Sequence, residues 1–179
     1  MVKLQRKVIL TGYRACGKSV VGRLLAHRLG VDFLDMDKEI EARAGATISE
    51  MVAAHGWPYF RQREQALLGE LEARDRLVIA TGGGAIMHQA EWRRLMATGL
   101  VVWLTADIAT ICARLAADSA SPGQRPALTG DSVIGEIESV LAQRTPLYQQ
   151  GSHLRVDTAG RTPEKIVADI VAALAETKD

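Results

Sequence analysis

The stretch Gly12-Tyr13-Arg14-Ala15-Cys16-Gly17-Lys18-Ser19 fits the pattern G-x-x-x-x-G-K-[ST], and it constrains the fold more than any other feature of the chain. The apolar run Val8-Ile9-Leu10 leads into it as a strand. The amphipathic run from Val20 to Leu29 leads out of it as a helix, and Gly30 closes that helix. Strand, glycine-rich loop and helix in this order make a phosphate-binding P-loop.

The residue types follow from the ligand. Triphosphate oxygens must lie almost on the backbone, and Gly12 and Gly17 leave that space and tolerate a tight turn. Amides from about Arg14 to Ser19 then point inward as a nest, reinforced by the helix N-terminus. Lys18 is placed to reach the β- and γ-phosphates, and Ser19 to ligate Mg²⁺. Binding of a nucleoside triphosphate follows, but the reaction does not.

The rest of the chain alternates strand and helix. Asp32–Asp35, Leu77–Ala80, Leu100–Leu104 and Leu154–Asp157 read as further strands. Helices are expected over Lys38–Ala44, from Thr47 or Ser49 to His55, from Pro58 to about Arg74, and over Gln89–Ala97. Others carry Ile111 to Leu115, run from Ser132 to Tyr148 with a bend at Pro146, and run from Pro163 to about Thr177. Such alternation implies an α/β fold with a parallel sheet covered on both faces, and ligands beyond the carboxyl ends of its strands.

With 179 residues, one domain is expected. A net charge of +1 gives no global field toward nucleic acid or membranes. No run is long enough to span a bilayer and no leader is visible, so a cytoplasmic location is the expectation. The two cysteines and four histidines show no metal-ligand spacing. Cys16, inside the P-loop, is either a reactive thiol with a lowered pKa or simply a small residue, the second being favoured.

Four further clusters carry polar chemistry. Asp35 and Asp37 follow the second strand at i, i+2, and both point one way if the chain stays extended there. One would hold hydrated Mg²⁺ and the other accept a proton, unless Asp37 merely caps a helix. Phe60-Arg61-Gln62-Arg63-Glu64 offers guanidinium groups to a carboxylate, or Arg61 and Glu64 simply pair. Gly82-Gly83-Gly84 ends a core strand, where three glycines make sense if a ligand must touch backbone. Arg125-Pro126 sits in a loop without apolar period, and Arg144-Thr145-Pro146-Leu147-Tyr148 sits on a late helix.

In this order these pieces resemble the shikimate kinases, from Val8 to the last helix: a P-loop, Asp35-Met36-Asp37, Phe60-Arg61-Gln62-Arg63-Glu64, Gly82-Gly83-Gly84, Arg125-Pro126-Ala127-Leu128 and Arg144-Thr145-Pro146-Leu147-Tyr148. The resemblance implies a three-layer P-loop NTPase fold with five parallel strands in order 2-3-1-4-5. It also implies substrate-binding helices over about 36–64 and a mobile lid over about 117–131. It implies phosphorylation of the shikimate 3-hydroxyl by ATP with Mg²⁺, in a monomer without nucleic-acid or membrane partners.

Residue by residue, the resemblance makes Lys18, Asp37 and Arg125 catalytic. Asp37 would hold ring hydroxyls and act as base, and Phe60 would pack on the carbon ring. Arg61 and Arg144 would clamp the carboxylate, and Glu64 would orient Arg61. Gly82, Gly83 and Gly84 would bring amides to the substrate. Asp35 would join Ser19 near Mg²⁺. Nucleotide contacts would come from Gly12, Arg14, Ala15, Cys16, Gly17, Lys18, Ser19, Val20 and Arg125, with Arg114 and Pro163 sandwiching adenine. Ala15 stands where the family usually has glycine, and Cys16 where it has serine or alanine.

Overall fold

In the computed structural model, which describes residues 6–118 and 133–176, the central strands alternate their side chains between two cores. Val8 and Leu10 of β1 (Lys7–Thr11) point into one apolar cluster and Ile9 into the other. Val78 of β3 (Leu77–Ala80) and Val102 and Leu104 of β4 (Gly99–Thr105) join the first cluster. Ile79, Val101 and Trp103 join the second. This is the period-two pattern of strands buried on both faces. With β2 (Asp32–Asp35) and β5 (Leu154–Asp157) the sheet has the order β2-β3-β1-β4-β5, every pairing parallel.

Eight α-helices are present among the described residues. The first cluster is completed by α1 (Lys18–Leu29), α6 (Ile108–Ala117) and α8 (Pro163–Glu176). The second is completed by α2 (Met36–Ala44), α3 (Ile48–His55), α4 (Trp57–Leu71) and α5 (Gln89–Met96). The remaining helix, α7 (Val133–Gln150), serves both, since Ile137 and Val140 pack in the first cluster and Tyr148 in the second. It therefore passes from one face of the sheet to the other, and Arg144 falls on the crossing.

Local chemistry sets most boundaries. Thr47 makes a full capping box with Glu50 at the start of α3, a device worth about 1 kcal/mol. Lys7 is fully buried and donates to the carbonyls of Leu71 (2.8 Å) and Glu72 (2.7 Å), tying the end of α4 beneath β1. Gly99 opens β4 because a Cβ there would stand 2.4 Å from the Lys7 carbonyl oxygen.

Three helix expectations are corrected, one of them the long helix α4, which starts at Trp57 and stops at Leu71 and not near Arg74. Helix α2 starts at Met36, so the chain is not extended through Asp37. Asp35 is the cap, its carboxylate accepting from the amides of Asp37 and Lys38, and Asp37 lies in the first turn. A short 3-10 turn, Ala85–Met87, fills the segment before α5. Helix α7 continues past Tyr148 to Gln150 with Pro146 inside it. Arg125, with most of the lid expected over 117–131, lies outside the described residues.

Candidate active site

The carboxyl ends of β2, β3 and β1 finish level with one another: Asp35 is opposite Ala80, and Ala80 is opposite Leu10. The loops that leave these ends are the P-loop, the glycine triplet and the turn into α2, so parallel register alone brings three of the sequence-flagged clusters together.

In the P-loop, Gly12 has φ 138°, and a Cβ there would stand 2.3 Å from the Leu104 carbonyl oxygen, so this position requires glycine twice over. Gly17 caps α1 at φ 92°. Ala15 also adopts a left-handed φ, 59°, which a glycine would take without strain. The Lys18 ammonium donates to the carbonyls of Gly12 and Tyr13, both at 2.8 Å, which holds it across the loop mouth. Val20, one turn on, is half exposed.

Cys16 is buried. Its surroundings push the thiol pKa up, the desolvation outweighing the Lys18 and Arg114 charges. It is a small packing residue and not a thiolate poised by helix amides.

Ser19 Oγ donates to Asp35 Oδ2 at 2.5 Å. Two hard oxygen donors are thus paired at the N-terminus of α1, beside the loop that would carry phosphates. Mg²⁺ uses few protein oxygens and fills its shell with phosphate oxygens and water, so this pair fits it.

The glycine triplet is where the arginines converge. Gly83 carbonyl oxygen accepts from Arg144 Nη1 (2.9 Å) and from the Tyr148 hydroxyl (2.6 Å). A Cβ on Gly83 would lie 3.5 Å from the Gly12 carbonyl oxygen and 3.6 Å from the Arg14 amide. A Cβ on Gly84 would lie only 2.1 Å from Arg61 Nη1. None of the three is among the described glycines with positive φ, and the demand for space falls on Gly84, since a Cβ on Gly83 would meet its neighbours at ordinary contact distance. Arg61 itself donates to Glu64 Oε2 at 2.6 Å, and its guanidinium lies 5.4 Å from the Trp57 ring and 5.3 Å from the Phe60 ring.

Electrostatics hold these groups in their working forms. Burial opposes ionisation of Glu64, yet its bond to His88 and the Arg61 charge prevail and keep it below the usual carboxylate range. Burial pushes the Tyr148 hydroxyl up to about 12, so it stays protonated and donates to Gly83. Tyr148 stacks on Trp103 (centroids 5.6 Å apart), which carries Arg155 over its ring at 5.0 Å.

The remaining expected residues are dispersed. Phe60 is only 1% exposed and belongs to the second core, packed edge-on against Trp57, so it presents almost no surface in this conformation. Arg114 donates to the Ala15 carbonyl (3.0 Å) and to the Thr158 hydroxyl (2.9 Å) and carbonyl (2.8 Å), bracing the P-loop against the turn after β5. Pro163 opens α8 shortly beyond that turn.

The shikimate kinase family model matches residues 14–175. The shikimate kinase of Rhodopirellula baltica is 42% identical over 164 residues, covering 92% of this chain and 88% of that one. The chain belongs to the shikimate kinase family. Among solved structures, the shikimate kinase of Acinetobacter baumannii in complex with shikimate superposes with a TM-score of 0.89 at 34% identity, covering 97% of this chain and 95% of that one. A gluconokinase from Sinorhizobium meliloti reaches a TM-score of 0.60 at 16% identity, a likeness of fold alone.

In this shikimate kinase family member, Tyr148, Glu136 and His88 make contacts around the site to which sequence reasoning assigned no role. Tyr148 shares the Gly83 carbonyl with Arg144, and its spacing of one helical turn from Arg144 was the available signal. Glu136 pairs with Arg14 at 3.0 Å, linking α7 to the P-loop. His88 reaches Glu64 at 3.0 Å, and no pattern in the sequence marks it.

Proposed function

We propose that the chain transfers the γ-phosphoryl group of ATP to the 3-hydroxyl of shikimate, releasing ADP and shikimate 3-phosphate. The observation that carries this reading is the meeting of Arg61 and Arg144 on Gly83 and Gly84, directly beside the Gly12–Arg14 segment of the P-loop. Two guanidinium groups next to a triphosphate site suit a small acid whose carboxylate is gripped while a hydroxyl faces the phosphate.

In this reading the amides of Arg14 to Ser19 cradle the phosphates, and Lys18 swings from the Gly12 and Tyr13 carbonyls to the β- and γ-phosphoryl oxygens. Asp37, in the first turn of α2, takes the proton of the attacking hydroxyl. Gly82, Gly83 and Gly84 line the substrate, and Phe60 supplies the wall beneath it. Ser19 and Asp35 hold Mg²⁺, which when bound supplies positive charge against the phosphate oxygens. Arg125 completes the positive surround from the lid, and Arg114 and Pro163 flank the adenine. Catalysis is mostly positioning and electrostatics, as in phosphoryl transfer generally.

The same reading makes residues 1–179 one kinase domain with a lid over about 117–131, working as a cytoplasmic monomer on two small molecules. No helix among the described residues is long and apolar enough to cross a membrane.

The test is identification of the product. Incubation with ATP, Mg²⁺ and shikimate should yield one phosphate monoester, placed on C3 by phosphorus–proton correlation NMR. Recovery of unmodified shikimate, with or without ATP loss, would overturn the proposal.

A further inference from the structure

Glu64 is a buried carboxylate whose two oxygens are treated unequally. Its side chain is 1% exposed, and Oε2 alone receives Arg61 Nη1 (2.6 Å) and His88 Nε2 (3.0 Å). Oε1 is buried without a hydrogen-bond partner among the described residues. An ionised carboxylate only accepts, so Nε2 of His88 carries the proton in this contact.

His88 is well placed to act on the site through this bond. It lies just beyond the glycine triplet, at the N-terminal cap of α5, with its amide on the Ala85 carbonyl. It is one side of a seam between α4 and α5 that also includes Gln65, which donates to Glu91, with Arg94 on the same Glu91 carboxylate. The Arg61 guanidinium is pinned between that seam, the Trp57 and Phe60 rings, and the space that Gly84 leaves open.

An arginine whose charge is already balanced by a neighbouring carboxylate holds an anionic ligand less well than one that shares that carboxylate with another donor. We propose that His88 is a positioning residue for the substrate carboxylate: its Nε2–H draws on the charge of Glu64 and fixes that carboxylate. Arg61 then stays against Gly84 with its remaining N–H groups turned to the anionic ligand. The inference rests on the proposed function, since the ligand is taken to be the shikimate carboxylate. His88 touches neither substrate nor nucleotide in this account and acts only through Glu64 and Arg61.

Steady-state kinetics on the full chain test it, with shikimate and ATP varied separately for the wild type, His88→Ala, His88→Gln, Glu64→Gln and the Glu64→Gln/His88→Ala double variant. Thermal unfolding of each variant runs alongside. In His88→Ala the KM for shikimate should rise on the order of tenfold, while kcat and the KM for ATP stay within about twofold. His88→Gln, whose amide N–H stands near the place of Nε2–H, should recover most of the loss. In the Glu64→Gln background, His88→Ala should add nothing further. An unchanged KM for shikimate, an equal rise in both KM values, or a His88→Gln variant as impaired as His88→Ala would overturn the proposal.

If the wild type shows no shikimate-dependent turnover, the proposed function fails by itself. The contact is then judged by the His88 imidazole nitrogen resonances. A shift of Nε2 between the wild type and Glu64→Gln supports it, and identical spectra overturn it.

Discussion

Gly12 and Gly84 look alike in the sequence and differ in what they permit. A Cβ at Gly12 meets the backbone carbonyl of Leu104 at 2.3 Å with φ at 138°, so neither neighbour nor chain can yield. A Cβ at Gly84 meets the far end of Arg61, which can swing aside. Gly84→Ala should therefore leave the melting temperature within about 4 °C of the wild type, a shift of roughly 1 kcal/mol at most. It should raise the KM for shikimate on the order of tenfold by displacing the guanidinium. Parallel calorimetry and kinetics check both halves, and an unaltered KM would show that Arg61 does not need its place against Gly84. The triplet was read as room for a ligand at the backbone; at Gly84 the space is real, but its occupant is the Arg61 guanidinium. Arg61 lies far from Gly84 along the chain, and only the packing of α4 against the triplet brings them together. Ala15 was noted only as standing in place of the family's usual glycine; its φ of 59° supplies a conformational reason for that glycine.

Elements were read well wherever an apolar run or a closing glycine announced them, as with the three central strands and the ends of α1, α2 and α3, while the choice between Thr47 and Ser49 as the cap of α3 was settled for Thr47 only by its capping box with Glu50. What escaped are contacts between elements distant in sequence. His88 and Glu64 are separated by 24 positions, Tyr148 and Gly83 by 65, and Glu136 and Arg14 by 122. Another such contact joins β4 to the entry of β5: His153 Nδ1 accepts the Val101 amide at 3.0 Å while its own amide bonds the Val101 carbonyl at 2.9 Å. An accepting Nδ1 must be unprotonated, and partial desolvation of this otherwise exposed side chain likewise lowers the His153 pKa. A depressed histidine contributes stability that is present above its unfolded value, near 6.5, and is lost as pH falls through the folded value. The melting temperature should accordingly drop between pH 7 and pH 5, and His153→Asn, whose side-chain carbonyl accepts without titrating, should reduce that drop. An equal drop in both proteins would contradict the assignment.

At the scale of the whole molecule, the site is a consequence of the sheet having two cores. One core carries α1 with its P-loop and the other carries α4 with Arg61, and they meet at the carboxyl ends of β1 and β3. Helix α7 crosses from the first core to the second, which delivers Arg144 to Gly83 on the way and sets Glu136 against Arg14. In the proposed reading, nucleotide chemistry and acid recognition thus belong to opposite faces of one sheet and meet at the carboxyl ends of its central strands. The claim is tested most directly by ADP release from ATP and Mg²⁺, with and without shikimate, in the wild type and in Arg144→Ala. The account predicts turnover that depends on shikimate, and in the variant a loss carried mainly by a KM for shikimate raised on the order of a hundredfold. ADP release that ignores shikimate, or an Arg144→Ala variant with an unchanged KM, would contradict it.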